Sequence, residues 1–526
     1  GHFAVGNALG EARQYEAAAG HLAEARVREP NWAEPSLELG LLLAQAGRDA
    51  EAERPLADAV RQNPFHVRAR NSLKLVRELQ TFETIETEHF VIRYRDGIDE
   101  VLAREMPPLL DGMFAAVTGS PDDPGTPYGI DHVPERKTII ELMPSHEWFS
   151  VRITGMPRIW TVAAATGPIV AFESPQEGPG FSAGPYDWLR VMRHEFTHTV
   201  TLSRSRNRIA HWMTEAAAVQ LEDAPRDYQR WTLLTQAWNE GRLFDLRTIN
   251  TAFVRPERPS DRSLAYAQGQ WMYEFILDEW GARAPLEIMD LMAEGQPIGP
   301  ALERVLGVTG DEFLSRFRGY AREQLVAAGM ILPEGTPTVA DLLRAAGKEP
   351  QRATMADLEA LAEEHPGHPD LLDRLVRMKL ARRSGSPTED MIPLLEAYAA
   401  ARPVDDLPHR MLAKLHLDRG DPESLEAAIP HLEFLDVREV HSAGYAAELT
   451  ERYAAIGDLE NALAKAERTT RIAPFDADYR ELAARVALQA KAYDAAERHL
   501  RALVDIEPDR EIHKRRLEAL ERVRNR

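Results

Sequence analysis

The sequence predicts a mostly α-helical protein in which a central α+β segment lies between two arrays of helical repeats. Three observations predict this fold class. A 34-residue spacing recurs near both ends of the chain, short β-branched segments follow residue 82, and a segment rich in Pro and Gly at residues 332–337 marks the second boundary. At 526 residues the chain is too long for one core. We therefore expect three units, at residues 1–81, 82–332 and 338–526.

The first array is predicted by an internal repeat. Five positions recur 34 residues later: Gly6 with Gly40, Ala18 with Ala52, Leu22 with Leu56, Ala25 with Ala59 and Pro30 with Pro64. Alanines let two helices approach closely, and a proline ends the second helix of each unit. With Tyr15, these residues resemble the tetratricopeptide (TPR) pattern, which implies helix-turn-helix units. Gly1 falls inside the first helix of its unit, so we expect further sequence upstream.

The central segment begins at Phe82, where the sequence pattern changes from helix-like to strand-like. Residues 88–94 and 137–142 are short, β-branched and partly alternating, which predicts strands, with a helix over 98–117 between them. A third strand is predicted over 158–172, interrupted by Gly167 and Pro168. Helices are predicted over 226–240, 266–280 and onward to about 328, and residues 332–337 predict a boundary.

The 34-residue spacing returns in the second array, where Pro474 matches Pro508 and Ala462 matches Ala496. Residues 355–526 therefore predict a more degenerate set of helical repeats. Both arrays are expected to bind a protein partner on a concave surface; the alternative is that they only space or dimerise the central segment.

Composition excludes several classes of function. A formal charge of −21, spread over the chain, disfavours nucleic acid as a partner. The absence of cysteine leaves His and carboxylates as the ligands for any metal. No apolar run is long enough for a transmembrane segment, so a soluble protein is expected. The compartment stays open, with the bacterial cell envelope or secretion preferred to the cytoplasm.

A metal site is predicted by the segment His194-Glu195-Phe196-Thr197-His198. On a helix, residues four apart share one face, so His194 and His198 can bind one cation. The helix is predicted by Asp187 as N-cap and by apolar residues at three- and four-residue steps. Glu195 lies beside the metal, where a carboxylate can accept a proton from bound water.

A third ligand is predicted seventeen residues after His198. Glu215 lies on a second predicted helix, and a connecting loop allows this helix to return antiparallel to the first. The alanines at 216–218 allow the two helices to pack closely. His194, His198 and Glu215 would then form a site for one Zn²⁺ with a position left for water.

With Trp212, Glu215 and the stretch 266–269, the motif resembles the gluzincin metallopeptidases, in particular their peptidase-MA-like domains, over residues 85–325. The resemblance implies a zincin-like fold and a zinc-dependent hydrolase that cleaves a protein or peptide substrate, as an endopeptidase rather than an exopeptidase. Glu195 would be the general base. Tyr266 or His211 would stabilise the oxyanion. The alternative is that Tyr266 is a packing residue and that His211 either supports a ligand or only packs.

Two departures from this family pattern concern the helix that carries Glu215. Ala210 stands where the pattern has Pro, and Ala216 stands where it has Gly. Both could misdirect the third ligand. The alternative function is therefore a catalytically silent scaffold that acts as a protein–protein interaction module.

Overall fold

The computed structural model describes residues 1–524. The chain begins with five helices that pack in sequence, α1 with α2 and α3 with α4. Their bounds are α1 His2–Glu11, α2 Tyr15–Arg28, α3 Ala33–Gln45, α4 Asp49–Gln62 and α5 Val67–Leu79. A Cβ atom at Gly6 would lie 2.7 Å from Leu22, and one at Gly40 would lie 2.5 Å from Leu56. The repeat therefore requires glycine where its two helices cross.

A five-stranded sheet follows, in the order β1-β2-β3-β5-β4. The strands are β1 Glu83–Glu86, β2 Phe90–Tyr94, β3 Thr138–Met143, β4 Ala163–Ala165 and β5 Ile169–Glu173. β2, β3 and β5 are parallel, whereas β1 and β4 run antiparallel along the two edges. The predicted third strand is thus two strands, because Gly167 adopts a φ of +118° and turns the chain between them.

Each face of the sheet packs against helices. On one face, Leu75 and Leu79 of α5 contact Met143 and Ala171. The other face joins the largest core of the molecule, to which Phe172 of the sheet and Phe196 contribute. The first array therefore supplies part of the packing of the sheet.

Ten helices continue the central segment, two of them between strands. They are α6 Asp99–Thr118, α7 His146–Thr154, α8 Trp188–Arg204, α9 His211–Leu221, α10 Tyr228–Asn239, α11 Thr248–Val254, α12 Asp261–Trp280, α13 Ala284–Ala293, α14 Ile298–Leu306 and α15 Gly310–Ala327. α8, α9 and α12 pack on one another at the centre of this segment. None of the helices within residues 1–524 is both long and apolar enough to cross a membrane.

Eleven helices and two short 3₁₀ turns, at Pro350–Arg352 and Glu389–Met391, complete the described chain. The helices are α16 Val339–Ala345, α17 Met355–Glu364, α18 Pro369–Arg382, α19 Ile392–Ala401, α20 Asp406–Arg419, α21 Pro422–Asp436, α22 Gly444–Ala455, α23 Leu459–Ile472, α24 Ala477–Gln489, α25 Tyr493–Ile506 and α26 Glu511–Arg524. Successive helices pack as neighbours, for example α22 with α23 and α24 with α25. This local pairing is that of a helical-repeat solenoid.

The predicted fold class is wrong in its central part, because a separate zincin-like α+β domain is not evident. Within residues 1–524 the chain has 26 α-helices and only five strands, each of three to six residues. The small sheet shares its packing with both flanking regions. Leu75 and Leu79 cover one face, and Val404, Val440 and Phe475 of the second array pack against the core behind the other.

A pair of histidines in the second array predicts a pH dependence of stability. His409 and His431 lie 3.1 Å apart at their Nδ1 atoms, and His409 stacks on Phe434. Burial lowers the pKa of both imidazoles to about 4, and the neighbouring charges of His431 and Arg438 act in the same direction on His409. The unfolded chain takes up these protons near pH 6.5, the usual pKa of histidine. The two neutral imidazoles therefore contribute fully to the free energy of unfolding above about pH 6.5, and this contribution is lost as the pH falls towards 4.

The double variant His409→Gln/His431→Gln tests this dependence. We expect its free energy of unfolding, measured by urea titration, to fall less between pH 6.5 and pH 4 than that of the unmodified chain. His441→Gln is the control, because His441 is exposed on the same array. Equal slopes for the double variant and the unmodified chain would contradict the prediction.

Candidate metal centre

The helix that carries the two predicted histidine ligands is α8. Its N-cap is Asp187, whose carboxylate accepts a hydrogen bond from the backbone N–H of Arg190. Met192, Phe196 and Val200 recur at four-residue steps and are buried in the main core. This stripe fixes the rotation of α8 and leaves the neighbouring face, with His194 and His198, directed towards α9.

The third predicted ligand is brought to this face by α9. Residues 205–210 turn the chain, with Arg206 and Asn207 in the left-handed region at φ +51° and +60°. α9 then packs on both α8 and α12. Ala216 is fully buried where α9 meets Gly269 of α12. The small residue permits a close approach of these helices, which sets the position of Glu215.

The three predicted ligand atoms lie within 3.5 Å of one another. His194 Nε2 lies 3.2 Å from His198 Nε2, and Glu215 Oε2 lies 3.5 Å and 3.4 Å from these two nitrogens. Donors about 2.0–2.2 Å from a tetrahedral zinc ion are roughly 3.3 Å apart. The Oε2 atom of Glu215 is also buried without a hydrogen-bond partner of good geometry. The spacing and this unsatisfied oxygen both fit a bound zinc ion.

The second nitrogen of each imidazole is held by a neighbouring side chain. His198 Nδ1 lies 2.8 Å from the Thr214 hydroxyl, and His194 Nδ1 lies 2.9 Å from Glu222 Oε1. Glu222 is in turn bound by Arg190, whose Nε donates to it at 2.9 Å. Such contacts orient metal-binding imidazoles. They leave both Nε2 atoms facing Glu215.

Sequence reasoning did not identify Glu222 as a functional residue. In the structure it is largely buried against His194. Burial favours its neutral form, but the contacts with His194 and Arg190 outweigh this effect and hold the pKa of Glu222 at about 2. The only signal in the sequence was its position seven residues, about two helical turns, after Glu215.

The electrostatics of the ligand cluster favour an ionised carboxylate. Burial alone would raise the pKa of Glu215, but the two imidazoles beside it lower that pKa well below its usual value. Glu195 behaves in the opposite way, because burial raises its pKa and the charges of His194 and His198 only partly compensate. The two carboxylates therefore differ in their affinity for a proton.

All six residues singled out in the sequence line one cavity of about 220 Å³. His211 Nε2 lies 3.1 Å from Glu215 Oε1, and its ring stacks on Phe253. Tyr266 packs edge-on against the same Phe253. Burial, together with the charge of Glu215, raises the pKa of the Tyr266 hydroxyl. The roles predicted for Glu195, Tyr266 and His211 in catalysis stay predictions.

The two departures from the family pattern do not displace Glu215. Ala210 precedes α9 with φ −64° and ψ 140°, and its carbonyl accepts the first hydrogen bonds of the helix. Ala216 fits the contact with α12 described above. Both alanines are therefore compatible with a carboxylate placed 3.4–3.5 Å from the two imidazoles.

Comparisons with known proteins give no family. No protein-family model matches the chain, and no curated protein matches it. Among solved structures, the chain is similar to one titled "Crystal structure of APC/C hetero-tetramer Cut9-Hcn1", at 12% identity over 98% of this chain and 95% of that chain. The TM-score of that alignment is 0.23, which is too low to support an argument about fold or function.

The predicted membership in the gluzincin family is therefore corrected. No family model or curated protein supports it, and the described chain is a predominantly helical repeat protein with five short strands. Two histidines on one helix and a carboxylate on the next require only two packed helices, so the motif does not by itself specify a fold. The prediction of a zinc metallopeptidase, hydrolase or protease rested on that resemblance and is wrong with it. The helical-repeat fold suggests protein partners.

Proposed function

We propose that this protein is a protein-interaction scaffold in which two helical-repeat arrays flank a metal-binding centre formed by His194, His198 and Glu215. The observation that carries the proposal is an open groove of about 1,090 Å³ on the second array. The groove lies across α22, α24 and α26, the first helices of successive repeat units. In helical-repeat proteins such stacked faces form extended binding surfaces.

The chemistry of the groove favours a segment of a partner protein. Its walls are more apolar than polar, and Leu488 and Val523 are exposed there at 43% and 57% of their surface. Glu451 pairs with Arg485, and Glu481 pairs with Arg516. Because acidic residues outnumber basic ones along the groove, we expect the bound segment to carry apolar and basic side chains.

Ion pairs join the helix of the metal centre, α8, to the second array. Asp187, the N-cap of α8, contacts Arg468 Nη1 at 2.5 Å and Arg471 Nε at 3.3 Å, both from α23. Arg468 is also bound by Asp436 of α21. A zinc ion at the cluster would tie α8 to α9 through ligand bonds. In this proposal the metal stabilises the segment on which the second array is docked.

Partner binding is tested with a charge placed in the groove. Proteins that copurify with the unmodified chain should not copurify with Leu488→Glu. The substitution would bury an unpaired carboxylate in the interface, which weakens binding. The matched control is Leu109→Glu, since Leu109 on α6 has a similar exposure of 37% outside the groove. Each candidate partner is then purified and titrated against both variants. Equal affinity for the two variants would contradict the assignment of the groove.

The scaffold proposal also predicts the behaviour of Glu195→Gln. This variant should retain the partner as well as the unmodified chain does, because Glu195 lines the metal cavity and not the groove. Zinc-loaded protein should cleave an unfolded-peptide library no faster than the variant does, with cleavage followed by mass spectrometry. Zinc-dependent cleavage at a defined bond that disappears in Glu195→Gln would overturn the proposal.

A further inference from the structure

A second cavity, of about 560 Å³, lies where the first array meets the central segment. Its walls come from five places in the chain, two of which are Ala46 after α3 and the turn between β4 and β5 at Gly167 and Pro168. The turn between α1 and α2 contributes Arg13, and the start of α2 contributes Tyr15. The approach to β3 contributes Arg136, and the carboxyl-terminal part of α8 with the turn after it contributes Thr199 and Arg206. A cavity of this size accommodates a small molecule.

The cavity is basic in a strongly acidic protein. Within residues 1–524, none of the three arginines on its walls, Arg13, Arg136 and Arg206, forms an ion pair, although most other arginines of the chain do. Two acidic residues also line the cavity. Glu16 forms an ion pair with Arg48 at 3.3 Å. The second acidic residue, Glu135, is one carboxylate beside three arginines. Three arginines against two glutamates leave the walls with one net positive charge, against a net charge of −21 for the whole chain.

The two turns that present Arg13 and Arg206 hold each other in place. Arg13 and Arg206 adopt φ values of +55° and +51°, a region that residues other than glycine seldom occupy. Asn207 Nδ2 donates to the carbonyl of Arg13 at 2.9 Å, and Gln14 Nε2 donates to the carbonyl of Arg206 at 3.1 Å. Backbone strain of this kind persists where the surroundings fix it, and it clusters at binding sites.

A buried polar group on the wall independently indicates a ligand. The Thr199 side chain is 4% exposed, and its hydroxyl has no hydrogen-bond partner among residues 1–524. Threonines in helices usually satisfy their hydroxyl with the carbonyl four residues earlier, as Thr197 and Thr201 do in the same helix. The Thr199 hydroxyl is thus left unsatisfied at the wall of the cavity.

We propose that this cavity binds the phosphate group of a small organic phosphate ester. Guanidinium groups recognise the tetrahedral dianion by charge-assisted hydrogen bonds, and a hydroxyl can add one more donor. The cavity exceeds the volume of a free phosphate ion, and Tyr15, Ala46, Pro134 and Pro168 provide an apolar wall for the rest of the molecule. None of the three predicted metal ligands lines this cavity, which adjoins the metal cavity at Arg13 and Leu202. The groove on the second array is a different surface.

Isothermal titration of the full chain tests this assignment. The probes are inorganic phosphate, glycerol 3-phosphate and ribose 5-phosphate, with glycerol and ribose as neutral controls. We expect the esters to bind more tightly than inorganic phosphate, the neutral compounds not to bind, and added NaCl to weaken binding. Tighter binding of inorganic phosphate than of either ester, or no binding of any phosphate at about 1 mM, would overturn the proposal.

Charge-neutralising variants locate the site. Arg136→Gln and Arg206→Gln should each reduce the affinity for the ester about tenfold or more, because each removes a charge-assisted donor. Arg318→Gln is the matched control, since Arg318 is exposed on α15 and forms no ion pair within the described chain. Thermal unfolding verifies that each variant is folded. Unchanged affinity in the variant that combines Arg136→Gln and Arg206→Gln would place the ligand elsewhere and refute the assignment.

Discussion

Replacing His198 by alanine is expected to reduce bound zinc from about one ion per chain to none. The imidazole of His198 lies within 3.2–3.4 Å of the other two ligand atoms, and two remaining donors do not hold zinc in competition with a chelator. The unmodified chain should also gain about 2.7 kcal/mol in its free energy of unfolding when free zinc is a hundredfold above its dissociation constant. The variant should gain nothing. Elemental analysis after zinc loading and thermal unfolding measure both effects.

The control for this experiment is His441→Ala. His441 is exposed and lies outside the cluster, so this variant should keep its zinc and its zinc-dependent stabilisation. Thr214→Val is a milder test, because it removes the hydroxyl that orients His198; a loss of about ten- to a hundredfold in zinc affinity is expected. If the unmodified chain carries no zinc after loading, the metal centre is refuted.

Replacing Arg152 by leucine is expected to destabilise the protein by about 3–5 kcal/mol. Arg152 is fully enclosed between the first array and the sheet, where its guanidinium donates to Glu141 at 2.6 Å and to the carbonyl of Ala44 at 2.9 Å. Burial alone would lower its pKa, but Glu141 and Asp49 outweigh burial and raise it. The substitution leaves Glu141 buried, with Arg93 at 3.4 Å as its only other ion-pair partner in the described residues.

Urea denaturation measures the change in the free energy of unfolding. Two further variants show whether it comes from the unpaired charge of Glu141. Adding Glu141→Gln to Arg152→Leu should recover part of the lost stability, because it removes the buried charge that Arg152 balanced. Arg316→Leu should change the free energy of unfolding by less than about 1 kcal/mol, since Arg316 pairs with Glu312 on the exposed face of α15. A loss below about 1 kcal/mol for Arg152→Leu would contradict a structural role for the buried pair.

Local structure was largely predictable from the sequence. The spacing of Gly6 and Gly40 predicted paired helices, since only glycine permits the approach to Leu22 and Leu56. An N-cap at Asp187 and a four-residue apolar step predicted α8, and its geometry alone placed His194 and His198 on one face.

Strand boundaries were less predictable. The segment 158–172 is apolar and β-branched in places, but whether it forms one strand or two depends on the turn at Gly167. The edge strand β1 was not predicted, because its four residues are largely exposed and show no alternation that packing would impose. The resemblance to a peptidase family was wrong because it extended a local motif to a whole fold.

By itself, the sequence determined which helices form and which residues share a face, since both follow from the period of 3.6 residues and from capping groups a few positions apart. Only the tertiary structure decided which faces meet. It set the distances from Glu215 to the two imidazoles, and it placed Glu222 behind His194 and Arg152 between the first array and the sheet. These contacts join residues from separate elements, so they depend on how whole helices pack, and no local pattern encodes that distance.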